Sequence, residues 1–231
     1  MEAIVLAGGF GTRLRPVVAD VPKPMAPIGG RPFLEILLHS LASKGFKRVI
    51  LSLGFMAEKI SDHFGPRFAG LEITCVVEDI PLGTGGAVRL AMTATSKDHV
   101  YVFNGDTYID LEVDQLERQW QANRSPVVVG KEVPDTSRYG RLLVESHRII
   151  GFTEKGISGA GLINAGCYVL PTGLLDRFPI NTPFSIEKDC LVPEVARGTV
   201  EVFVTEGMFI DIGIPEDYAR AQQLLTLQSG C

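Results

Sequence analysis

The sequence predicts a single α/β domain, built on a mixed, mostly parallel central sheet that is flanked by helices. In the first half of the chain, short apolar strand candidates alternate with helix candidates, which is typical of parallel βαβ units. In the second half, strand-like stretches follow one another less regularly, without a long linker or an internal repeat. A chain of 231 residues that is 45% hydrophobic can also bury a substantial core.

The elements of the first half are predicted from residue type and from the Pro and Gly residues at their ends. The strand candidates are short and rich in Val, Ile or Leu, and they cover residues 3–6, 48–53, 73–77 and 100–103. The helix candidates between them cover residues 32–44, 56–64 and 85–94. Pro32 suits the first turn of its helix, and Gly45 suits the position just after the helix end.

The second half predicts two further helices among several strands. The helices cover residues 114–122 and 215 to about 227, and the strands cover 127–129, 141–145, 149–153, 164–170, 200–204 and 208–210. We expect one domain over residues 1–231, with its ligand crevice at the carboxyl ends of the strands, as in other open α/β sheets.

Composition excludes several classes of function. A net charge of −5 disfavours nonspecific binding to nucleic acid. No apolar run reaches the roughly 18 residues of a membrane span, and no basic leader precedes the first strand, so we expect a cytoplasmic protein. The four cysteines form no Cys-x-x-Cys pair and show no ligand spacing with the four histidines, which predicts structural thiols in a reducing compartment.

The first strand candidate runs directly into a glycine loop with the sequence AGGFGTRL, residues 7–14. Such a loop exposes backbone N–H groups that suit phosphate oxygens, and Arg13 and Lys23 add positive charge beside it. The loop lacks the Gly-Lys-Ser/Thr ending of a P-loop, and Leu14 stands where a dinucleotide-binding loop has its third glycine. It therefore predicts a nucleotide phosphate site of another type.

Two carboxylates end apolar strands in distant parts of the chain. Asp106 follows the strand at 100–103 in the string NGD, which taken alone is also a common turn former. Asp211 lies four residues before Pro215, too early for the N-cap of the last helix. We expect both side chains at one rim of the sheet, where they would bind Mg²⁺ together with substrate phosphates.

Other strings suggest where the rest of a substrate would bind. Glu78 precedes the string PLGTGG, and its carboxylate could accept both N–H groups of a guanine edge, although an ordinary surface glutamate explains it equally well. In Glu154-Lys155, a carboxylate and an ammonium group stand side by side at a strand end. Asn164 begins a later strand, and Gly140 follows a tyrosine that could line the same pocket.

Together and in this order, these strings resemble sugar-1-phosphate nucleotidyltransferases over nearly the whole chain. Within that family they are most similar to the D-glycero-α-D-manno-heptose 1-phosphate guanylyltransferases, on the strings PKPMAPIGGRPFLE, PLGTGG, NGDTYID, SIEKD and FIDIGIPEDY. The resemblance implies a Rossmann-like, GT-A-like domain without a C-terminal β-helix. Residues from about 1 to 110 would bind the nucleotide, and residues from about 111 to 231 the sugar phosphate.

The resemblance also implies the reaction and its partners. Members of the family use Mg²⁺ to join a nucleoside triphosphate to a sugar 1-phosphate, and they release pyrophosphate. For this chain the resemblance implies GTP or another nucleoside triphosphate as the substrate. It also implies a homodimer, which is common in the family. Carried over by motif, Arg13, Lys23 and Asp106 are catalytic, and Asp106 and Asp211 bind the metal. The resemblance assigns nucleotide binding to Leu6, Ala7, Gly8, Gly9, Gly11, Thr12, Arg13, Lys23, Glu78, Gly83 and Thr84. It assigns sugar-phosphate binding to Asn104, Gly140, Glu154, Lys155 and Asn164.

Several alternatives stay open at this point. Glu78 and Thr107 stand where thymidylyltransferases tend to have Gln and Asn, which disfavours a thymine nucleotide. Mannose-1-phosphate guanylyltransferases and N-acetylmuramate-1-phosphate uridylyltransferases share many of the strings. A non-catalytic nucleotide-sugar-binding regulator is a candidate of another class, but we would expect it to have lost a metal carboxylate or a phosphate-binding cation.

Overall fold

The structure is a computed structural model that describes residues 1–14, 17, 18 and 20–228. The strands in this part of the chain are β1 (Glu2–Leu6), β2 (Pro27–Ile28), β3 (Arg31–Pro32), β4 (Arg48–Leu53), β5 (Arg67–Phe68), β6 (Leu71–Val77), β7 (His99–Asn104), β8 (Thr107–Ile109), β9 (Val127–Val133), β10 (Leu142–Glu145), β11 (Arg148–Phe152), β12 (Gly161–Pro171), β13 (Glu201–Thr205) and β14 (Phe209–Asp211). The α-helices are α1 (Phe33–Ser43), α2 (Ala57–Phe64), α3 (Gly83–Ala91), α4 (Val113–Asn123), α5 (Val192–Ala196) and α6 (Pro215–Gln228).

Ten strands form one mixed sheet in the order β10-β11-β13-β9-β12-β7-β1-β4-β6-β5. Strands β7, β1, β4 and β6 run parallel, whereas β12 is antiparallel to both of its neighbours, β7 and β9. In the ladders around β1, Leu6 lies between Ser52 of β4 and Asn104 of β7, so the carboxyl ends of three parallel strands coincide. The predicted α/β domain with a mixed central sheet is confirmed.

Helices cover both faces of this sheet because their apolar residues lie on one side. In α1, Leu34, Leu37, Leu38 and Leu41 are buried at helical spacing and pack with residues of α2 and α4 on one face. The opposite face is covered by α3, α5 and a π-helix at Ile186–Leu191. Among the described residues, no helix combines the length and apolar character needed to cross a membrane.

Every predicted helix and strand is present, with boundaries shifted by a few residues. Helix α1 begins at Phe33, directly after Pro32, and Gly45 follows its end with φ +86°, as its predicted role requires. The sequence-based prediction lacks the short elements β2, β3, β5 and α5, together with two features near the cavities described below. The string after Asp106 continues into β8, which pairs with β14 as a separate two-stranded ribbon, and SIEKD forms most of the π-helix.

Candidate functional site

A cavity of about 420 Å³ opens at the carboxyl ends of β1, β4 and β7, beside the start of α3. All eleven residues predicted to bind the nucleotide line it. Its wall is completed by Phe10, Pro24, Ser52, Pro81, Ala87, Asn104, Asp106 and Gly213. The cavity thus combines the amides of the glycine loop with two cations, Arg13 and Lys23. This combination suits the triphosphate group of a nucleotide.

The glycine loop has its shape because two of its glycines allow close approaches. A Cβ atom on Gly8 would lie 3.0 Å from the Gly54 nitrogen and 3.1 Å from Glu78 Oε1. Gly11 has φ +58°, and a Cβ there would lie 2.8 Å from the Lys23 Cβ. The loop therefore rests directly on the two side chains predicted to contact the base and the phosphates.

Glu78 lines the first cavity and is partly buried. Its Oε2 accepts a hydrogen bond from the Leu82 N–H at 3.1 Å. Burial raises the pKa of this carboxyl, and the bond from Leu82 only partly offsets that effect. Nearby, Gly83 has φ +67°, and a Cβ there would lie 2.7 Å from the Phe184 carbonyl oxygen.

A second cavity, of about 500 Å³, adjoins the first. The two share four lining residues: Arg13, Asn104, Asp106 and Gly213. Two more cations, Arg138 and Lys155, line the second cavity alone. The remaining wall residues are Thr107, Ser137, Tyr139, Asn164, Ala165, Gly166, Phe209, Asp211 and Ile214. Two cation-lined cavities therefore meet at a junction that includes Asp106.

The ribbon of β8 and β14 brings the two predicted metal carboxylates side by side. Asp211 pairs with Thr107 in this ribbon, and the Ile212 N–H donates to the Asp106 carbonyl oxygen at 2.9 Å. Lys23 Nζ lies 2.5 Å from Asp106 Oδ2. A Cβ on Gly213 would lie 2.8 Å from Asp211 Oδ1 and 3.7 Å from Lys23 Nζ, so these groups occupy one small region.

Asp211 is oriented by two donors. The Gly213 N–H donates to its Oδ1 at 2.7 Å, and the Tyr139 hydroxyl donates to its Oδ2 at 2.8 Å. Burial and the neighbouring Asp211 carboxylate raise the pKa of Tyr139, so the hydroxyl stays protonated and remains a donor. The adjacent Arg138 forms an ion pair with Asp217, which is buried in the first turn of α6.

The structure distributes the predicted sugar-phosphate residues unevenly. Asn104, Lys155 and Asn164 line the second cavity. Glu154 is exposed and lies outside the lining of both cavities, and Gly140 packs against the Thr153 backbone instead. The roles of these last two residues stay predictions. Sequence reasoning missed Arg138 and Ser52, because neither lies in a string with a distinctive glycine or carboxylate pattern.

The metal chemistry of the site depends on few protein groups. Within the part of the chain that the structure describes, no three His, Cys, Asp or Glu side chains form a cluster that could hold a metal ion. Two carboxylates beside a phosphate cavity fit Mg²⁺, since that ion completes its octahedron with phosphate oxygens and water.

Cys167 and Cys190 are buried, and Cys231 lies outside the described residues.

This fold, with a glycine loop over one cavity and Asp106 at the junction with another, defines a nucleotide-binding transferase of the α/β class. The chain belongs to the nucleotidyl transferase family, whose model matches residues 2–228.

Within this family, the chain is similar to several guanylyltransferases. The chain is 39% identical to D-glycero-alpha-D-manno-heptose 1-phosphate guanylyltransferase of Aneurinibacillus thermoaerophilus, with 97% of this chain and 98% of that one covered. A crystal structure of HddC from Yersinia pseudotuberculosis complexed with GMP-PN is 38% identical, with a TM-score of 0.87 and coverage of 97% and 99%. Mannose-1-phosphate guanylyltransferase of Mycobacterium tuberculosis is 36% identical over 95% of this chain, but only 63% of its own length is covered.

Proposed function

We propose that this protein transfers GMP from GTP to D-glycero-α-D-manno-heptose 1-phosphate, which yields a GDP-heptose and pyrophosphate. The heptose-specific relatives support this substrate pair, because they match this chain over nearly their full length. The guanine nucleotide is further supported by the similar Yersinia protein, whose crystal structure contains GMP-PN.

The observation that carries the proposal is the junction of the two cavities at Asp106 and Arg13. A phosphate of the nucleotide in the first cavity and the phosphate of the sugar in the second would approach each other there. Holding two polyanions in line and neutralising their charge is most of the catalysis that phosphoryl transfer requires. The surrounding cations Lys23, Arg138 and Lys155 supply that neutralisation.

The bond changes follow from the chemistry of the substrates. A phosphate oxygen of the sugar 1-phosphate forms a bond to the α-phosphorus of GTP. The bond from that phosphorus to the α–β bridging oxygen breaks, and the oxygen leaves with pyrophosphate. Because the attacking oxygen is already an anion, the step needs no general base. In this scheme Lys23 contacts the α-phosphate region and Arg13 stabilises the departing pyrophosphate.

Asp106 and Asp211 would hold Mg²⁺ in this site. Asp211 is preoriented by Tyr139 and Gly213, and each of its carboxylate oxygens retains a lone pair beyond those hydrogen bonds. When bound, the ion supplies positive charge that polarises the phosphate oxygens of the nucleotide. Asp106 also pairs with Lys23, so this carboxylate would hold the ion next to the ammonium group that contacts the α-phosphate region.

Glu78 is the proposed base-reading residue. Its Oε2 already accepts from the Leu82 N–H, so the carboxylate is held at the cavity wall with Oε1 next to Gly8. An ionised carboxylate has enough acceptor capacity left for the N1–H and N2–H groups of guanine. A uracil or thymine ring presents only one N–H on the corresponding edge, which favours guanine.

The experiment is a matrix of four nucleoside triphosphates against heptose, mannose, glucose and N-acetylmuramate 1-phosphates, read by pyrophosphate release. We expect GTP with the heptose phosphate to show the highest kcat/KM. The Mycobacterium relative makes mannose 1-phosphate the second candidate. A clear preference for UTP with N-acetylmuramate 1-phosphate would overturn the substrate assignment, and no release with any pair would overturn the transferase activity.

A further inference from the structure

The string SIEKD, which has no role in the scheme above, contacts wall residues of both cavities. Before it, the Phe184 carbonyl accepts the Gly85 N–H at 2.9 Å. Within it, the Ile186 N–H donates to Thr84 Oγ1 at 3.1 Å. Thr84 lines the first cavity, and α3 begins just before it. The start of the π-helix is therefore tied to the wall of the nucleotide cavity.

The next residue along the π-helix reaches the other cavity. Glu187 Oε1 accepts a hydrogen bond from Asn164 Nδ2 at 2.6 Å. The same nitrogen donates to the buried Tyr168 hydroxyl at 2.9 Å, and that hydroxyl lies 3.5 Å from Glu187 Oε1. Asn164 lines the second cavity, whereas Glu187 lines neither. Glu187, which is itself exposed, thus contacts a residue in the wall of the second cavity.

The hydrogen bonds of Asn164 leave its carboxamide with one unused hydrogen-bonding position, a lone pair on Oδ1. Both N–H bonds are used, one to Glu187 and one to Tyr168. The Oδ1 atom accepts the Gly166 N–H at 3.0 Å, which leaves one of its two lone pairs. In this orientation Asn164 can accept one further hydrogen bond, and it can donate none.

We infer that Glu187 is a positioning residue for the sugar substrate. It fixes the carboxamide of Asn164 so that its oxygen accepts a hydroxyl of the sugar 1-phosphate. Without Glu187, only the Tyr168 hydroxyl and the Gly166 N–H hold the amide, so the carboxamide is less firmly fixed in the orientation that presents its oxygen to the sugar. This inference rests on the proposed function, since it assigns Asn164 to the sugar 1-phosphate.

Steady-state kinetics of Glu187→Ala, Glu187→Gln and Asn164→Ala test the inference. One hydrogen bond to a ligand corresponds to about three- to tenfold in affinity. We expect Glu187→Ala to raise KM for the sugar 1-phosphate by that factor while kcat and KM for GTP stay near wild type. Glu187→Gln keeps a carbonyl acceptor for Asn164 and should recover most of the affinity. Lys188→Ala, at the exposed neighbouring position, is the matched control and should change neither KM.

A double-mutant cycle separates positioning from a general structural effect. If Glu187 acts only through Asn164, the variant with both alanines has the KM of Asn164→Ala alone. The inference is overturned if the two effects multiply, if Glu187→Ala leaves KM for the sugar 1-phosphate unchanged, or if it raises KM for GTP to the same extent.

A second measurement does not depend on turnover. The side-chain NH₂ signals of Asn164, assigned by their loss in Asn164→Ala, should exchange slowly with solvent in the wild type and faster in Glu187→Ala. Equal exchange in both proteins would overturn the positioning role. If the wild type turns over no sugar 1-phosphate, the proposed function fails, and the exchange rates still decide whether Glu187 holds the amide.

Discussion

Lys23 Nζ lies 2.5 Å from Asp106 Oδ2 at the point where the two cavities of this protein meet. The lysine side chain is only 9% exposed, and the glycine loop rests on it at Gly11. One contact therefore joins the lysine that supports the glycine loop to the strand end that carries a predicted metal carboxylate. Removal of either partner should affect both nucleotide binding and charge neutralisation.

Lys23→Ala should lower kcat/KM for GTP by at least about tenfold. A charge-assisted hydrogen bond contributes about 1.5–3 kcal/mol, and each ~1.4 kcal/mol corresponds to a factor of ten. The loss should be larger in kcat if the contact tightens in the transition state. Pyrophosphate release measures the effect, with the exposed Lys97→Ala as a matched control. Activity of Lys23→Ala within twofold of wild type would contradict the phosphate role.

Asp211→Asn should lower kcat by about 100-fold or more at ordinary Mg²⁺ levels, since loss of one metal carboxylate weakens transition-state stabilisation by several kcal/mol. A chelator should abolish wild-type activity, and added Mg²⁺ should restore it. Asp110→Asn is a suitable control, because that exposed carboxylate pairs with Lys44 away from both cavities. Full turnover by Asp211→Ala would refute the two-carboxylate metal site.

Glu78→Gln should lower the preference for GTP over UTP by about tenfold or more, because an amide cannot accept two N–H groups with a full negative charge. The wild type should also lose affinity for GTP as the pH falls. Burial raises the pKa of Glu78, so the carboxylate becomes protonated at a higher pH than an exposed glutamate. Protonation reduces the capacity of the carboxyl to accept hydrogen bonds, so the loss of affinity should set in at a higher pH than the titration of an exposed glutamate would give.

The pH dependence of KM for GTP checks this prediction in the wild type and in Glu78→Gln. The variant should have a weaker affinity that changes less over the same range, since it has no carboxyl to protonate. Parallel pH profiles of the two proteins would show that another group is responsible. An unchanged ratio of GTP to UTP turnover would count against Glu78 as the base-reading residue.

Gly8→Ala should lower the free energy of unfolding by about 1–3 kcal/mol, which is the usual cost of overpacking. The added methyl group would meet the Gly54 nitrogen at 3.0 Å and Glu78 Oε1 at 3.1 Å. Gly9→Ala is the matched control, because a Cβ there has no atom within 4 Å. Urea denaturation of the three proteins measures the difference, and equal stability of both variants would contradict the close packing of the loop.

Much of the nucleotide cavity was predictable because its chemistry is local. The loop from Ala7 to Leu14 follows a buried strand directly, and PLGTGG precedes a helix, so each string carries its own structural context. The second cavity was less predictable. Arg138 comes from a segment without a marked pattern. Glu154 and Lys155 are both exposed, but only Lys155 lines the second cavity.

The sequence by itself determined which groups are available: a strand that ends in a glycine loop, two carboxylates at strand ends, and the alternation that makes an α/β sheet. These depend on periodicity and turn chemistry over a few neighbouring residues. Only the tertiary structure decided which distant groups meet. Asp211 lies beside Asp106 through the register of a short ribbon, and Glu187 reaches Asn164 from a π-helix, because long-range pairing depends on packing that no local pattern encodes.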